Sequence, residues 1–414
     1  MKNLIKNQTF LTLTSADIFE TMGTSLFNII LLTYAKEFTH ANAMVSLVSV
    51  ATVMPGILGV LTGRIADRTH NKRIWLASTK FIQAGLYFLL AQLINQRQVV
   101  LLIIIILINI FSDIIGMYSG SLRMPIIQTK ISNDLQEQAV GINQGISTIM
   151  QTVGQAIGVS LLALTNNYQL AGYINAFTFL IAGIILSTGY NSLKIQTPRQ
   201  QTPSWHKLIS QMKKALETSS DTNAWALLSS IFFMNAVGAS LDAIINLYLI
   251  DQGNKLPLSF NVSVLTINTI LVGGTILGSI LHSGWFQKWS FRSVMSLCVF
   301  VLEIFYINLI NWESFIIVLI SMAIGGFCMG QINPKLTASL LKNADSEIVG
   351  SLTGLMNTIS IISMPLGAIV LVLIYNIINP ETAYIISMIL LLLSLLCLFL
   401  PQKKQLSRKL RASK

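Results

Sequence analysis

The feature that most restricts this chain is a near-unbroken succession of apolar runs, each close to 20 residues long and separated from the next by short polar breaks. A hydrocarbon layer about 30 Å thick needs about 20 apolar residues per helix, and it admits only elements that satisfy their backbone groups internally. Of the 414 residues 53% are hydrophobic and only 10% charged, whereas soluble domains carry about 25% charged residues. With 26 Gly, 9 Pro and 3 Cys, collagen, low-complexity disorder and a disulfide scaffold are excluded as well. The chain reads as an all-α integral membrane protein.

Twelve spans are expected, over 10–34, 44–64, 74–94, 99–121, 138–164, 169–190, 223–250, 260–283, 293–310, 314–334, 347–376 and 381–400. The tenth carries a Gly325-Gly326 break. Residues 1–190 form an amino-terminal six-helix bundle, 191–222 a cytoplasmic linker, 223–400 a second bundle and 401–414 a basic cytoplasmic tail. Cys298, Cys328 and Cys397 all fall inside apolar runs and read as small packing residues without a bridge.

The net charge of +11 resides in loops rather than in a nucleic-acid-binding face. With both termini inside, 23 of the 27 Lys and Arg residues lie on the inner face, against Lys36, Arg97 and Lys255 outside; Lys80 falls within the third span. Arg123 counts among the inner loop residues, and Lys80 is expected to snorkel to the inner headgroups. This asymmetry obeys the positive-inside rule and sets the orientation. The first apolar stretch contains Asp17 and Glu20 and lacks a cleavage site, so it is expected to remain as a helix. In the linker, Ser204 can cap a helix with Trp205, Leu208, Ile209, Met212 and Leu216 on one side, and Lys207, Lys213 and Lys214 on the other. That pattern predicts an amphipathic helix on the inner leaflet; a solvated connector is the alternative.

The two halves are related by an internal repeat. Gly23, Gly59 and Gly63 recur 215 residues later as Gly238, Gly274 and Gly278, and Arg73 recurs as Lys288; further on, Pro125, Gly141 and Gly158 recur 209 residues later as Pro334, Gly350 and Gly367. Six spans per repeat make the repeats parallel about an axis along the membrane normal. In a secondary transporter this arrangement places the substrate site near the midplane between the repeats and provides alternating access.

Gly59, Gly63, Asp67, Arg68, Lys72 and Arg73 stand between spans two and three in a pattern that resembles the signature loop of the major facilitator superfamily, with His70 and Asn71 where the family usually has Gly and Arg. Gly59 and Gly63 share a helical face and let another helix approach. Asp67 can accept hydrogen bonds from a helix amino terminus or pair with a neighbouring Arg, and the resemblance implies that it latches an inward-closed state. The equivalent position in the second half is His282. The segment Gly350 to Gly367, with Asn357 and Pro365, resembles the macrolide-efflux and siderophore-exporter branch of the family. In span five only Gly154 and Gly158 stand where drug antiporters carry a Gly-Pro motif, which leaves the direction of transport open.

Ionisable side chains within spans cost about 2.5–3.5 kcal/mol and are candidate functional groups. They are Asp17, Glu20, Asp113, Asp242, Glu303 and Lys80. The resemblance implies that spans one, four, seven and ten line the central cavity, and four of the five acids lie on three of these. Asp17 and Glu20 lie three apart on one helical face, where two carboxylates raise each other's proton affinity. With Asp113, Asp242, Asn235 and Gln331 they are the candidate proton-coupling and cavity residues. Glu303 is expected to make a structural hydrogen bond or to pair with a neighbour, and Asn143, Gln144, Gln151, Gln155 and Asn357 read as interhelical glue.

No zinc-protease, nucleophile-elbow or phosphate-loop motif occurs, so no catalytic residue, metal site or cofactor is expected. The function that follows is a proton-coupled exporter of lipophilic or cationic small molecules by alternating access. The expected partners are its small-molecule substrate, protons and membrane lipids, without nucleic acid, and the expected form is a monomer in a bacterial plasma membrane. Alternatives on the same fold are a lipid or lysolipid flippase, an uptake symporter, and a non-transporting receptor.

Overall fold

The computed structural model describes residues 2–400 apart from 36, 39–43, 45–46, 49–50, 53, 97, 196–203, 221, 259 and 282–285. After a single turn at Lys2–Ile5 come α1 (Gln8–Ala35), α2 (Gly59–Arg68), α3 (Lys72–Leu93), α4 (Val99–Lys130), α5 (Asn133–Thr165), α6 (Tyr168–Thr188) and α7 (Trp205–Ser220). The chain continues through α8 (Ala224–Gln252), α9 (Phe260–Ile280), α10 (Phe291–Asn311), α11 (Phe315–Asn343), α12 (Val349–Ile377) and α13 (Pro380–Leu398). Among the described residues, eleven of these helices, all but α2 and α7, are long and apolar enough to cross a membrane. The expected span over 44–64 lies partly outside the described residues; its described end is the 3-10 turn Met54–Leu58 leading into α2. The all-helical membrane architecture expected from the sequence is the one observed. His282, Lys36, Arg97 and the basic tail lie outside the described residues.

Polar side chains cap the apolar rods where they begin. Asn167, Asn223 and Asn379 accept from the backbone N–H groups of Leu170, Trp225 and Thr382 at 2.9, 3.0 and 2.7 Å, and Ser290 accepts from Ser293 at 3.1 Å. Asn166 takes the left-handed conformation that ends α5, at φ 47°. Two helices run further than their apolar stretches: α4 continues through Pro125 to Lys130, and α11 through Pro334 to Asn343. The Gly325-Gly326 pair does not interrupt α11. It lets α9 approach, since a Cβ at Gly326 would lie 2.4 Å from the Leu271 carbonyl oxygen.

The chain divides into two compact units. Unit 1 comprises residues 1–139, 146–203 and 345–358, and unit 2 comprises 140–145, 204–344 and 359–414. In unit 1, α3 packs on α6 and α4, and α1 on α6. Glycines on α5 seat it on α1: a Cβ at Gly154 would come within 2.3 Å of the Met22 carbonyl oxygen, and one at Gly158 within 2.9 Å of that of Leu26. In unit 2, Gly367 of α12, the repeat counterpart of Gly158, meets the Ala236 carbonyl oxygen of α8 at 2.0 Å in the same sense. Exposed Val100, Ile103, Leu107 and Phe111 line one side of α4, as a hydrocarbon solvent requires.

The linker helix departs from expectation. Leu208, Met212, Ala215 and Leu216 are buried within unit 2, where α7 packs on α11 and α8, so this face meets protein. Trp205 and Ile209 remain about half exposed, beside exposed Lys213 and Lys214.

Candidate functional site

In unit 1 the acids of α1 meet two buried cations. Asp17 and Glu20 lie on one face of α1, and Arg123 of α4 donates to both, Nη1 to Asp17 Oδ1 and Nη2 to Glu20 Oε2. Lys80 of α3, 0% exposed, donates to Glu20 Oε1 and to Gln83 Oε1, the latter at 2.8 Å. Ser147 of α5 donates to Asp17 Oδ2 at 2.7 Å, and Gln83 Nε2 donates to the Ser112 carbonyl oxygen at 3.0 Å. Four helices are thus joined through one network of two acids and two bases. Buried charges persist only when paired and hydrogen-bonded, and this set meets that condition.

Three expectations are corrected here. Lys80 does not snorkel, because the nearest compensation for its charge is Glu20 on the adjacent helix rather than a headgroup. Arg123 is not a loop residue, because α4 continues through Pro125 and carries it into the bundle, where it is 8% exposed. Asp17 and Glu20 are not a bare like-charge pair, since each has a cation partner. Sequence reasoning missed Arg123, Lys80 and Ser147 as members of the network. The available signal was Lys80 itself, a base within a span that required an acid opposite.

Asp113 stands apart from these pairs. Its Oδ2 accepts from Asn109 Nδ2 at 3.0 Å, and Asn109 Oδ1 in turn accepts from the Tyr87 hydroxyl at 3.1 Å. The Tyr87 ring stacks on Phe179, with centroids 5.2 Å apart, and Lys80 Nζ lies 5.7 Å from the same Phe179 ring. Asp113 is half-buried and has no cation partner among the described residues. Gly116 borders the network: a Cβ there would be in ordinary van der Waals contact, 3.4 Å from Gln83 Nε2 and 3.9 Å from Glu20 Oε1.

The other candidates lie in unit 2. Asp242 of α8 is exposed and has no hydrogen bond or ion pair among the described residues. Asn235 Nδ2 donates to Ser360 Oγ at 3.0 Å. Gln331 is 0% exposed and donates to the Leu281 carbonyl oxygen at 2.9 Å, tying α11 to the end of α9. Glu303 makes no structural hydrogen bond through Oε1, which is buried without a partner.

The Gly59–Arg73 segment builds a second site in unit 1. Asp67 Oδ1 accepts from the Gly350 N–H at 2.8 Å, while Oδ2 accepts from the Ser351 N–H at 2.8 Å and the Ser351 hydroxyl at 2.6 Å. The carboxylate therefore satisfies the free N–H groups that open α12. The close approach is made by glycine: a Cβ at Gly63 would lie 2.1 Å from the Gly350 carbonyl oxygen, and one at Gly59 2.5 Å from that of Gly354. Lys72 Nζ donates to the carbonyl oxygens of Ala66 and Asp67 that end α2. The Arg73 guanidinium lies 3.9 Å from the Tyr190 ring centroid, while Arg68 is exposed. Burial raises the Asp67 carboxyl to about 6, against the opposing effect of its hydrogen bonds from Ser351 and Gly350.

The family model of the Major Facilitator Superfamily matches residues 13–273 and 255–414. No curated protein matches the chain in sequence. Among solved structures, the human organic anion transporter MFSD10 (TETRAN) is 11% identical, with a TM-score of 0.70 over 94% of this chain and 99% of that one. A bacterial homologue of the iron transporter ferroportin, in an outward-facing state with soaked iron, is 12% identical, with a TM-score of 0.74 over 94% and 98%. At such identities the likeness speaks for the fold alone. The family match covers nearly the whole chain, and eleven of its described helices are long and apolar enough to cross a membrane: the chain belongs to the Major Facilitator Superfamily of membrane transporters.

Proposed function

We propose that the protein is a proton-coupled exporter of lipophilic, cationic small molecules, working by alternating access in a bacterial plasma membrane with both termini in the cytoplasm. The observation that carries this reading is Asp113, a carboxylate within a span whose one hydrogen-bond donor among the described residues is the neutral amide of Asn109. A carboxylate so placed binds either a proton or an organic cation, and competition between the two couples their fluxes. Asp17 and Glu20, already neutralised by Arg123 and Lys80, hold the bundle and set the field in which Asp113 works. Within unit 2, Asp242 and Asn235 are the candidate cavity residues of α8, Gln331 holds α11 to the end of α9, and in unit 1 Asp67 closes the cytoplasmic side.

The test is uptake of a fluorescent lipophilic cation into everted membrane vesicles under an imposed pH gradient. The gradient is expected to drive accumulation, and Asp113→Asn to lower it about tenfold, the loss of one coupling interaction of typical size. Absence of gradient-driven uptake, together with an unaltered Asp113→Asn variant, would remove the coupling assignment.

A further inference from the structure

Asp113 meets its donor through a side chain that is itself held from the opposite end. Asn109 lies one turn before Asp113 on α4; its Nδ2 donates to Asp113 Oδ2 at 3.0 Å, and its Oδ1 accepts from the Tyr87 hydroxyl of α3 at 3.1 Å. The phenol is fixed in place, because its ring stacks on Phe179 of α6 at 5.2 Å and meets Phe27 of α1 in an edge arrangement at 5.1 Å. Tyr87, Asn109 and Phe179 are each 1% exposed.

An amide offers a carbonyl oxygen at one end and N–H donors at the other, so the end that meets Asp113 decides which protonation state is hydrogen-bonded. Facing Nδ2, the carboxylate is favoured; facing Oδ1, only a neutral carboxyl, with an O–H to give, is satisfied. The single hydrogen of the phenol fixes the choice. On its other sides the Tyr87 hydroxyl meets the Ser112 hydroxyl and the Asn175 amide, both placed as donors to its oxygen. Ser112 Oγ accepts from Gln83 Nε2 at 3.3 Å, and Asn175 Oδ1 from the Thr178 hydroxyl at 3.4 Å. Among the described residues, the acceptor left for the phenol hydrogen is Asn109 Oδ1, and an amide held by its oxygen turns Nδ2 to Asp113. Reversing it would leave a buried O–H without an acceptor.

The charged groups on the elements packed against α4 form no ion pair with Asp113 among the described residues. α3 carries Lys80, paired with Glu20, and Lys72 and Arg73 at its start; α1 carries Asp17 and Glu20, both held by Arg123 of α4 itself. α2 carries Arg64, Asp67 and Arg68, beside the point where the Thr69 and Tyr118 hydroxyls meet at 2.7 Å. The Met54–Leu58 turn, also packed on α4, has no titratable side chain.

We infer that Tyr87 is a positioning residue that acts on Asp113 through the Asn109 amide, holding the donor end of that amide against the carboxylate. The contact itself is independent of what crosses the protein; that Asp113 couples proton to cargo rests on the function proposed above. On that reading, Tyr87 and Asn109 together set the pH at which the carboxylate exchanges a proton for a cation.

The test is an infrared pH titration of the full chain in liposomes, following the neutral-carboxyl stretching band that is lost in Asp113→Asn. Its midpoint is expected to move about one pH unit to the alkaline side in Tyr87→Phe, which keeps the ring and removes one hydrogen bond, and at least as far in Asn109→Leu. Because Tyr87 acts through the amide, Tyr87→Phe is expected to add nothing in the Asn109→Leu background. Tyr34→Phe removes another buried phenol hydroxyl of unit 1, one that donates to the Gln96 carbonyl oxygen at 3.0 Å, and is expected to leave the midpoint in place. No Asp113-dependent band at any pH, an unmoved midpoint in Tyr87→Phe, an additive shift in the double variant, or an equal shift in Tyr34→Phe overturns the inference. Vesicle uptake is read separately, so a shifted midpoint without gradient-driven uptake refutes the exporter reading alone.

Discussion

Asp67 caps the helix that contains Ser351: one oxygen of its carboxylate takes both the backbone N–H and the hydroxyl of Ser351, at 2.8 and 2.6 Å, while the other takes the Gly350 N–H at 2.8 Å. Helix caps of this kind stabilise by about 0.5–2 kcal/mol. Asp67→Ala is therefore expected to shift the conformational equilibrium about 2- to 30-fold towards arrangements in which the α12 amino terminus is uncovered. Labelling of a cysteine introduced at Ser346, just ahead of that terminus, would measure the shift; an unaltered labelling rate would separate the cap from gating.

The same contact depends on pH. An Asp67 carboxyl raised to about 6 by burial binds its proton more tightly than one exposed to water near 3.8. Acid therefore favours the capped arrangement, and this contribution is lost as pH rises through about 6. Labelling at the position 346 cysteine, taken as a ratio to that of the Asp67→Asn variant at the same pH so that the thiol's own titration cancels, is expected to fall between about pH 8 and about pH 5.

Breaking one partner out of the buried network is expected to be costly. Lys80→Met leaves Glu20 with Arg123 alone and should destabilise the protein by about 3–5 kcal/mol, with much of the loss recovered in Lys80→Met combined with Glu20→Gln. Thermal melting in detergent, arranged as a double-mutant cycle, measures the coupling. Independent losses from the two substitutions would contradict it.

Glycines in the same bundle should differ sharply. Gly154→Ala forces a Cβ to within 2.3 Å of the Met22 carbonyl oxygen and is expected to lose about 1–3 kcal/mol. Gly120→Ala meets nothing within 4 Å on α4 and is expected to be neutral or to gain about 0.5–1 kcal/mol from helix propensity. Melting temperatures of the two variants provide the comparison.

How much was legible follows from which interactions are local. The spans, the Gly59–Arg73 segment and the shared face of Asp17 and Glu20 are properties of a helix and its solvent, so they were readable from residues a few positions apart. The role of Asp67 as an acceptor at a helix terminus was legible as chemistry, though not which terminus it would meet. The fates of Lys80 and Arg123 were not legible, because charge counting places bases by proximity to loops. Burial places them by the carboxylate opposite, on a helix 60 to 106 residues away in sequence. The linker helix was misjudged for a related reason: an apolar stripe states that it must be covered, not whether lipid or protein covers it.

The sequence alone determined that this chain dissolves in a bilayer as a bundle of helices, because runs of about 20 apolar residues leave no other way to satisfy backbone groups in hydrocarbon. It also determined the repeat, since duplicated glycines survive as a register. Only the tertiary structure decided that Glu20 is neutralised by Lys80 and Arg123 while Asp113 is not, and that Glu303 is left with a bare oxygen. Partnership across helices is a matter of a few ångströms between side chains distant in the chain, and no periodicity within one helix encodes it.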